Sequence, residues 1–133
     1  MQKVEHIGIA VKDLPTSVSL FEKLLNTACY REEFVESERV TTAFFEKGET
    51  KIELLQSIEP GSVINKFIAA RGEGIHHIAF EVEDIDVEME RLKKEGFLFV
   101  NNAPKVGADN KLVCFLHPKS ANGVLIELCQ SIK

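Results

Sequence analysis

The chain has 133 residues, 44% of them hydrophobic and 28% charged, and a net charge of −5 at pH 7. This length suits one domain with a buried core, and an acidic balance without a basic cluster argues against a nucleic-acid surface. No apolar run approaches the roughly 20 residues that cross a bilayer, and the polar start does not resemble a signal peptide, so no membrane partner is expected. Three widely spaced cysteines, Cys29, Cys114 and Cys129, favour a reducing cytoplasm over a disulfide framework.

The first part of the chain predicts the element order β-α-β-β-β. Residues 4–11 alternate between small and bulky side chains, which is typical of a strand, and Asp13 is a good N-cap for the helix that follows. Three more strands are predicted at about 29–35, 39–46 and 50–57. These elements form a first module over about residues 1–58.

The second part of the chain predicts the same order. A linker over about 59–74 holds a short helix that Ser62 caps, and the second module covers about 75–133. It starts with a strand at about 75–83, and its helix is capped by Asp84 and ended by Gly96. Strands follow near 97–101, 112–117 and 123–130, with a polar loop at 106–111. The sequence therefore predicts a single α+β domain built from two tandem βαβββ modules.

The two modules also repeat in their residues. H-I-G-I-A-V-K-D-L at 6–14 matches H-I-A-F-E-V-E-D-I at 77–85, and K-I-E-L-L at 51–55 matches L-I-E-L-C at 125–129. Each module thereby supplies one histidine on the small-residue face of a strand and one glutamate in an apolar strand. A carboxylate in such a strand is costly to bury unless it is paired or coordinated. The four residues are His6, Glu53, His77 and Glu127.

Two imidazoles and two carboxylates are a donor set for a divalent metal ion. Co²⁺, Ni²⁺, Mn²⁺, Zn²⁺ and Fe²⁺ all accept such ligands, and four protein donors leave two octahedral positions open for substrate or water. The other histidines are expected to be structural. His76 is predicted to point to the opposite face, towards the helices, and His117 to anchor a loop.

These motifs resemble the vicinal oxygen chelate superfamily and, within it, the methylmalonyl-CoA epimerase family. The similarity covers essentially the whole chain, and its most specific stretches are G-I-H-H-I-A-F-E-V at 74–82, F-L-H-P-K-S at 115–120 and G-V-L-I-E-L at 123–128. The resemblance implies a curved mixed-sheet cup of the glyoxalase/bleomycin resistance/dioxygenase type, with helices outside. It also implies a homodimer, an acyl-CoA thioester as substrate, and a metal held by His6, Glu53, His77 and Glu127. Among the metals Co²⁺ is favoured, with Ni²⁺, Mn²⁺ and Zn²⁺ possible.

The implied reaction is the epimerisation of (2R)- and (2S)-methylmalonyl-CoA by proton transfer at C2 through a metal-stabilised enolate. Glu127 and, by the internal symmetry, Glu53 are the expected proton carriers. Some bacterial members carry a proton-shuttling glutamate at or near the place of Thr42, and threonine is no general base. Glu46 shares the predicted face of Thr42 and is a weak substitute. Thr42 becomes a substrate-binding candidate together with Lys119 and Ser120, and Lys105 and Lys111 are weaker candidates.

Three alternatives stay open. The first is a glyoxalase I-type isomerase of glutathione thiohemiacetals, which the specific stretches disfavour. The second is an extradiol-type dioxygenase, which the fourth ligand Glu53 disfavours because oxygen activation needs more open positions. The third is a non-catalytic small-molecule-binding protein, which the complete donor set disfavours.

Overall fold

The computed structural model describes residues 1–132, which form three α-helices and eight β-strands. In chain order these are β1 Lys3–Ala10, α1 Leu14–Leu25, β2 Arg31–Val35, β3 Val40–Lys47, β4 Thr50–Gln56, α2 Val63–Arg71, β5 Gly74–Glu81, α3 Ile85–Lys94, β6 Lys105–Val106, β7 Lys111–Leu116 and β8 Ile126–Ser131. The order confirms the predicted α+β class with a βαβββ pattern that occurs twice. None of the described helices has the length and apolar character needed to cross a membrane, since the longest has 12 residues.

The chain divides into two compact units. One runs from His6 to His76, and the other joins Met1–Glu5 to the chain from His77 onward. In the first unit the strand order is β2-β3-β4-β1, with β1 and β4 parallel and the other pairs antiparallel. In the second unit the order is β5-β8-β7-β6, with β5 and β8 parallel and the other pairs antiparallel. The two units therefore share one topology.

Each unit packs the bulky face of its strands against a helix. Ile9 of β1 packs against the core under α1, and Phe80 of β5 packs against the core under α3. Burial of each large apolar side chain contributes about 1.5–3 kcal/mol, so these faces hold the helices in place. The fully or nearly buried members are Val11, Leu14, Ala43, Phe45 and Leu54 in one core, and Val82, Ile85, Met89, Leu92, Cys114, Leu116 and Leu128 in the other. The opposite faces of β1 and β5, which carry the small residues, are not used for this packing against the helices.

The helix boundaries follow the predicted capping residues. Asp13, Ser62 and Asp84 each accept a hydrogen bond from the backbone N–H three residues later, which satisfies one of the free donors at a helix N-terminus. Gly96 follows α3 with a φ of 95°, a left-handed conformation that glycine adopts without steric cost.

Two glutamines tie the strands to the helices, and the sequence reasoning did not identify them. Gln56 at the end of β4 accepts a hydrogen bond from the backbone N–H of Leu14, the first residue of α1. Gln130 on β8 accepts one from the N–H of Ile85, the first residue of α3, at 2.8 Å. Each glutamine stands three residues after a predicted metal-ligating glutamate, so the repeat includes this contact as well.

The strand predicted at 97–101 is wrong. Within this stretch only Phe99 forms a β-bridge, with Leu116, and the edge strand that pairs with β7 is the two-residue β6, at the start of the predicted polar loop. The reason is local, because the N–H of Leu98 donates to the hydroxyl oxygen of Ser120 at 2.9 Å instead of to a strand. The N–H of Val100 still donates to the carbonyl of Phe115 at 2.8 Å. The stretch therefore runs along β7 with too few ladder bonds to form a strand.

Candidate metal and substrate site

In the unit from His6 to His76, parallel strands place His6 beside Glu53. Gly8 is the register partner of Glu53, so His6 lies two residues earlier on the same face of the sheet. His6 Nδ1 is 3.3 Å from Glu53 Oε2, and the two side chains are only 6% and 4% exposed. The first predicted His–Glu pair is thus close and buried.

The second pair repeats this geometry in the other unit. Ala79 is the register partner of Glu127 in the parallel strands β5 and β8, and His77 lies two residues before Ala79. His77 Nε2 is 3.2 Å from Glu127 Oε1, and the side chains are 6% and 8% exposed. The internal repeat therefore extends to the distance within each His–Glu pair, although His6 approaches with Nδ1 and His77 with Nε2.

Each glutamate has a small residue on one side and an aromatic residue on the other. Glu53 stands between Gly8 and Phe44, and Glu127 between Ala79 and Phe115. The small residue adds little bulk beside the carboxylate, whereas the aromatic ring excludes water and strengthens local electrostatic interactions. Each phenylalanine lies on the strand that precedes its glutamate in the sequence. The sequence alone does not show that they are neighbours, because this requires the register of the two strands.

Each pair consists of donor groups that divalent metal ions use. A carboxylate with an exposure of a few per cent is stable only when it is paired or coordinated, and an imidazole supplies one partner in each unit. Imidazole nitrogen and carboxylate oxygen together suit Co²⁺, Ni²⁺, Mn²⁺ and Zn²⁺. Each unit thus offers one nitrogen and one oxygen donor in a water-poor setting.

Thr42 is the most buried polar residue on the same face of the sheet as Glu53. It lies on β3 two residues before Phe44, its side chain is 1% exposed, and its hydroxyl has no hydrogen-bond partner within residues 1–132. A buried hydroxyl without a partner costs about 1–3 kcal/mol, so this group is suited to bond an oxygen of a ligand. Glu46, the alternative base, is exposed and stands opposite Lys51 at the end of β3.

The turn after β7 is organised by His117. Its Nδ1 accepts a hydrogen bond from the backbone N–H of Lys119 at 3.1 Å, so that it begins the short turn Pro118–Ala121, in agreement with its predicted loop-anchoring role. Ser120 ties this turn to the segment before β6 through its bond from Leu98, while Lys119 is exposed. The turn therefore presents the Lys119 ammonium group on a fixed backbone.

The weaker lysine candidates differ in exposure. Lys111 is buried, and its Nζ donates to the hydroxyl of Ser131 at 3.0 Å, so this ammonium group is committed to β8. Lys105 lies on β6 opposite Val113 and is partly exposed. Lys111 is therefore poorly suited to bind a phosphate.

The remaining histidine and the cysteines have structural surroundings. The His76 ring packs edge-on against Phe67 of α2, with centroids 5.1 Å apart, which confirms that it points to the helix. All three cysteines are free, and Cys114 and Cys129 are buried. Burial raises the pKa of the Cys114 thiol to about 12, which makes it unreactive near neutral pH.

Comparison with known proteins identifies the family. The profile of the Glyoxalase/Bleomycin resistance protein/Dioxygenase superfamily matches residues 5–115. The ethylmalonyl-CoA/methylmalonyl-CoA epimerase of Cereibacter sphaeroides is 39% identical over 130 residues, which cover 96% of this chain and 97% of that protein. The chain is also similar to further proteins that are named methylmalonyl-CoA epimerase, among them the mitochondrial protein of Dictyostelium discoideum, at 39% identity over 95% of this chain and 76% of that protein.

Solved structures agree with the sequence matches. A hypothetical protein from Bacillus halodurans C-125 is 42% identical, with a TM-score of 0.95 over 98% of this chain and 95% of that one. A variant of the Streptomyces coelicolor methylmalonyl-CoA epimerase in complex with 2-nitronate-propionyl-CoA is 31% identical, with a TM-score of 0.94 over 98% and 95% of the two chains. The chain therefore belongs to the glyoxalase/bleomycin resistance protein/dioxygenase superfamily, and it is similar there to several proteins named methylmalonyl-CoA epimerase.

Proposed function

We propose that this protein is an isomerase that interconverts (2R)- and (2S)-methylmalonyl-CoA by moving a proton at C2. The epimerases among its relatives and the acyl-CoA analogue bound to the S. coelicolor enzyme support the reaction and the class of substrate. The observation that carries the proposal is the buried His–Glu pair, which recurs in both units with the same register and nearly the same distance.

We assign one divalent metal ion to His6, Glu53, His77 and Glu127. Co²⁺ is the first choice, and Ni²⁺, Mn²⁺ and Zn²⁺ are compatible with the same donors. When bound, the ion supplies Lewis-acid stabilisation of the negative charge that develops on the thioester oxygen, a type of contribution commonly worth about 3–4 kcal/mol.

The two glutamates are the proposed proton carriers. The C2–H bond of the substrate lies between a thioester carbonyl and a carboxylate, and its inversion needs proton transfer on opposite faces of C2. A carboxylate has two oxygens, so one oxygen of Glu127 or Glu53 can act as a ligand while the other takes up the proton. Gly8 and Ala79 are the register neighbours of these carboxylates, and their small size favours access of a substrate.

Thr42, Lys119 and Ser120 are the proposed substrate-binding residues. The hydroxyl of Thr42 is buried and without a partner in the described part of the chain, which favours a hydrogen bond to a substrate oxygen. Lys119 is exposed and offers a positive charge to the CoA phosphates, and Ser120 fixes the turn on which it stands. The family resemblance supports a homodimer, and the free cysteines support a reducing compartment such as the cytoplasm.

Hydrogen exchange at C2 tests the reaction. Protein loaded with Co²⁺ and incubated with methylmalonyl-CoA in D₂O should incorporate deuterium at C2 and equilibrate the two epimers, as followed by mass spectrometry and by a stereospecific coupling enzyme. Protein stripped of metal by a chelator is the control and should exchange only at the background rate. If Co²⁺-loaded protein shows no exchange and instead turns over a glutathione thiohemiacetal, it is a glyoxalase-type isomerase and the proposal is wrong.

A further inference from the structure

Each metal-site glutamate belongs to a row of four residues that crosses its sheet, and the two rows end differently. In one unit the row is Gly8, Glu53, Phe44 and Arg31, all in register. In the other unit it is Ala79, Glu127, Phe115 and then Val100, whose N–H donates to the carbonyl of Phe115. The first three positions match in type. The fourth is a cation in one unit and an aliphatic residue in the other.

The Arg31 side chain lies along its own row. Its guanidinium carbon is 4.6 Å from the centroid of the Phe44 ring, and Phe44 is the aromatic neighbour of Glu53. One guanidinium nitrogen, Nη2, is 3.1 Å from Glu33 Oε1, while 43% of the arginine side chain is exposed. The positive charge therefore sits at the open end of the row, on the same face of the sheet as the proposed ligands.

We propose that Arg31 binds an oxyanion of the acyl-CoA substrate. This assignment rests on the proposed function, because it uses the same face of the sheet. A guanidinium group has five N–H donors in one plane and binds carboxylate or phosphate oxygens in pairs, which an ammonium group does not do. Glu33 contacts one edge of the group and acts as a positioning residue, and Phe44 supports its flat face.

Polar neighbours extend the surroundings of Arg31 on this face of the sheet. Lys51 lies on the same face and is the register partner of Glu46, as Arg31 lies beside Glu33. Thr42, with its buried hydroxyl, is the register partner of Glu33 and extends the polar strip that starts at Arg31. In the other unit the position two residues before Phe115 is Val113, which is apolar, and its register partner is Lys105. Arg31, Glu33 and Thr42 therefore form a continuous polar strip in their unit, whereas Lys105 faces an apolar neighbour.

Arg39 provides a matched control. Its guanidinium carbon also lies over a phenylalanine ring, that of Phe34 at 6.0 Å, and it also pairs with glutamates, namely Glu36 at 2.9 Å and Glu59. The register partner of Phe34 is Thr41, so this ring is on the opposite face of the sheet from Phe44. Arg31→Gln and Arg39→Gln thus remove the same type of contact from the two faces.

Steady-state kinetics of the metal-loaded full chain test the proposal. Arg31→Gln should raise KM for methylmalonyl-CoA roughly 10- to 100-fold, with a smaller change in kcat, because a charged hydrogen bond is lost. Arg31→Lys should recover part of the loss, and Arg39→Gln should leave KM unchanged. Should Arg31→Gln not fold, Arg31→Lys alone still decides, since a KM equal to that of the wild type contradicts the assignment.

A truncated substrate identifies the oxyanion. Methylmalonyl-pantetheine retains the carboxylate but lacks every phosphate. An equal KM penalty with both thioesters supports a contact to the carboxylate, and a penalty seen only with the CoA thioester supports a contact to a phosphate. Unchanged KM values in Arg31→Gln, in an enzyme whose wild type is active, overturn this inference alone. An inactive wild-type chain overturns the proposed function, and this inference with it.

Discussion

Burial and face distinguish the histidines of this chain. His77 is 5% exposed and lies beside Glu127, whereas the adjacent His76 packs on Phe67 of α2. The alternation of side chains along a strand predicts this difference, because neighbouring residues point to opposite faces. His6 and Glu53 could be selected for the same reason, since they occupy equivalent positions in the repeat.

Other residues of the site could not be predicted. Arg31 lies in the sequence Y-R-E-E, which reads as a solvated strand edge with mixed charge. Its position at the end of the Glu53 row depends on the pairing of four strands, two of which are far apart along the chain. That the hydroxyl of Thr42 has no partner among residues 1–132 likewise depends on which groups the folded chain brings near it.

Thr42→Val tests whether this hydroxyl serves a ligand. Valine has nearly the same shape, so the free energy of unfolding should stay equal or rise by up to about 1 kcal/mol, because an unsatisfied buried group is removed. KM for methylmalonyl-CoA should rise roughly 2- to 10-fold through the loss of a neutral hydrogen bond. Thermal unfolding and steady-state kinetics measure the two effects. A destabilised variant with an unchanged KM would show that the hydroxyl has a structural partner instead.

Among the elements, β4 and β8 connect the site to the helices. Each carries a glutamate that we propose as a metal ligand on one face and, three residues later on the other face, a glutamine that bonds the first N–H of a helix. A free N–H at a helix start needs a partner, so the bond to the glutamine fixes the position of the helix relative to the strand. The strand that carries the carboxylate is thereby held in place by a contact on its opposite face.

Replacing these glutamines tests the tie. Gln56→Met and Gln130→Met keep the length of the side chain but remove the acceptor, and each should lower the free energy of unfolding by about 1–2 kcal/mol. Gln2→Met, at an exposed position, is the control and should leave stability unchanged. Chemical denaturation measures all three. Equal stability of wild type and the first two variants would contradict the role given to the bonds.

The sequence predicted most elements and their caps, and it failed where the pattern was weakest. Asp13 and Asp84 mark the starts of α1 and α3 because a capping residue precedes an apolar helical repeat. The stretch 97–101 has a similar apolar pattern, but its amides go partly to Ser120, and a bond to a distant side chain is invisible in the sequence. The type of each element could be predicted from hydrophobic periodicity, whereas the pairing of strands at the edge of the sheet is determined by tertiary contacts.

For the molecule as a whole, the proposed metal would join two units that each hold two of its donors. A ligand that binds only the folded chain stabilises it, by ~2.7 kcal/mol when its free concentration is about 100 times Kd. Because the proposed donors come from both units, removal of any one of the four should weaken metal binding by the other three. The stability of the chain is therefore expected to depend on metal.

His77→Ala and His76→Ala test this dependence. A chelator should lower the Tm of metal-loaded wild type and of His76→Ala, whereas His77→Ala should contain little metal and keep one Tm with or without chelator. Elemental analysis of the purified proteins gives the metal content directly. Stoichiometric metal in His77→Ala, together with full activity, would rule out this residue as a ligand.

The unlike ends of the two rows, Arg31 in one unit and Val100 in the other, have a consequence for stereochemistry. A duplicated scaffold with identical halves would accept an elongated molecule in either of two directions. The proposed contact at Arg31 would break that degeneracy, because the matching end of the other row is Val100. An enzyme that inverts a carbon centre must hold the rest of the substrate in one orientation while protons are transferred on both faces of that carbon. The difference between the two halves therefore allows the configuration to invert without reorientation of the substrate.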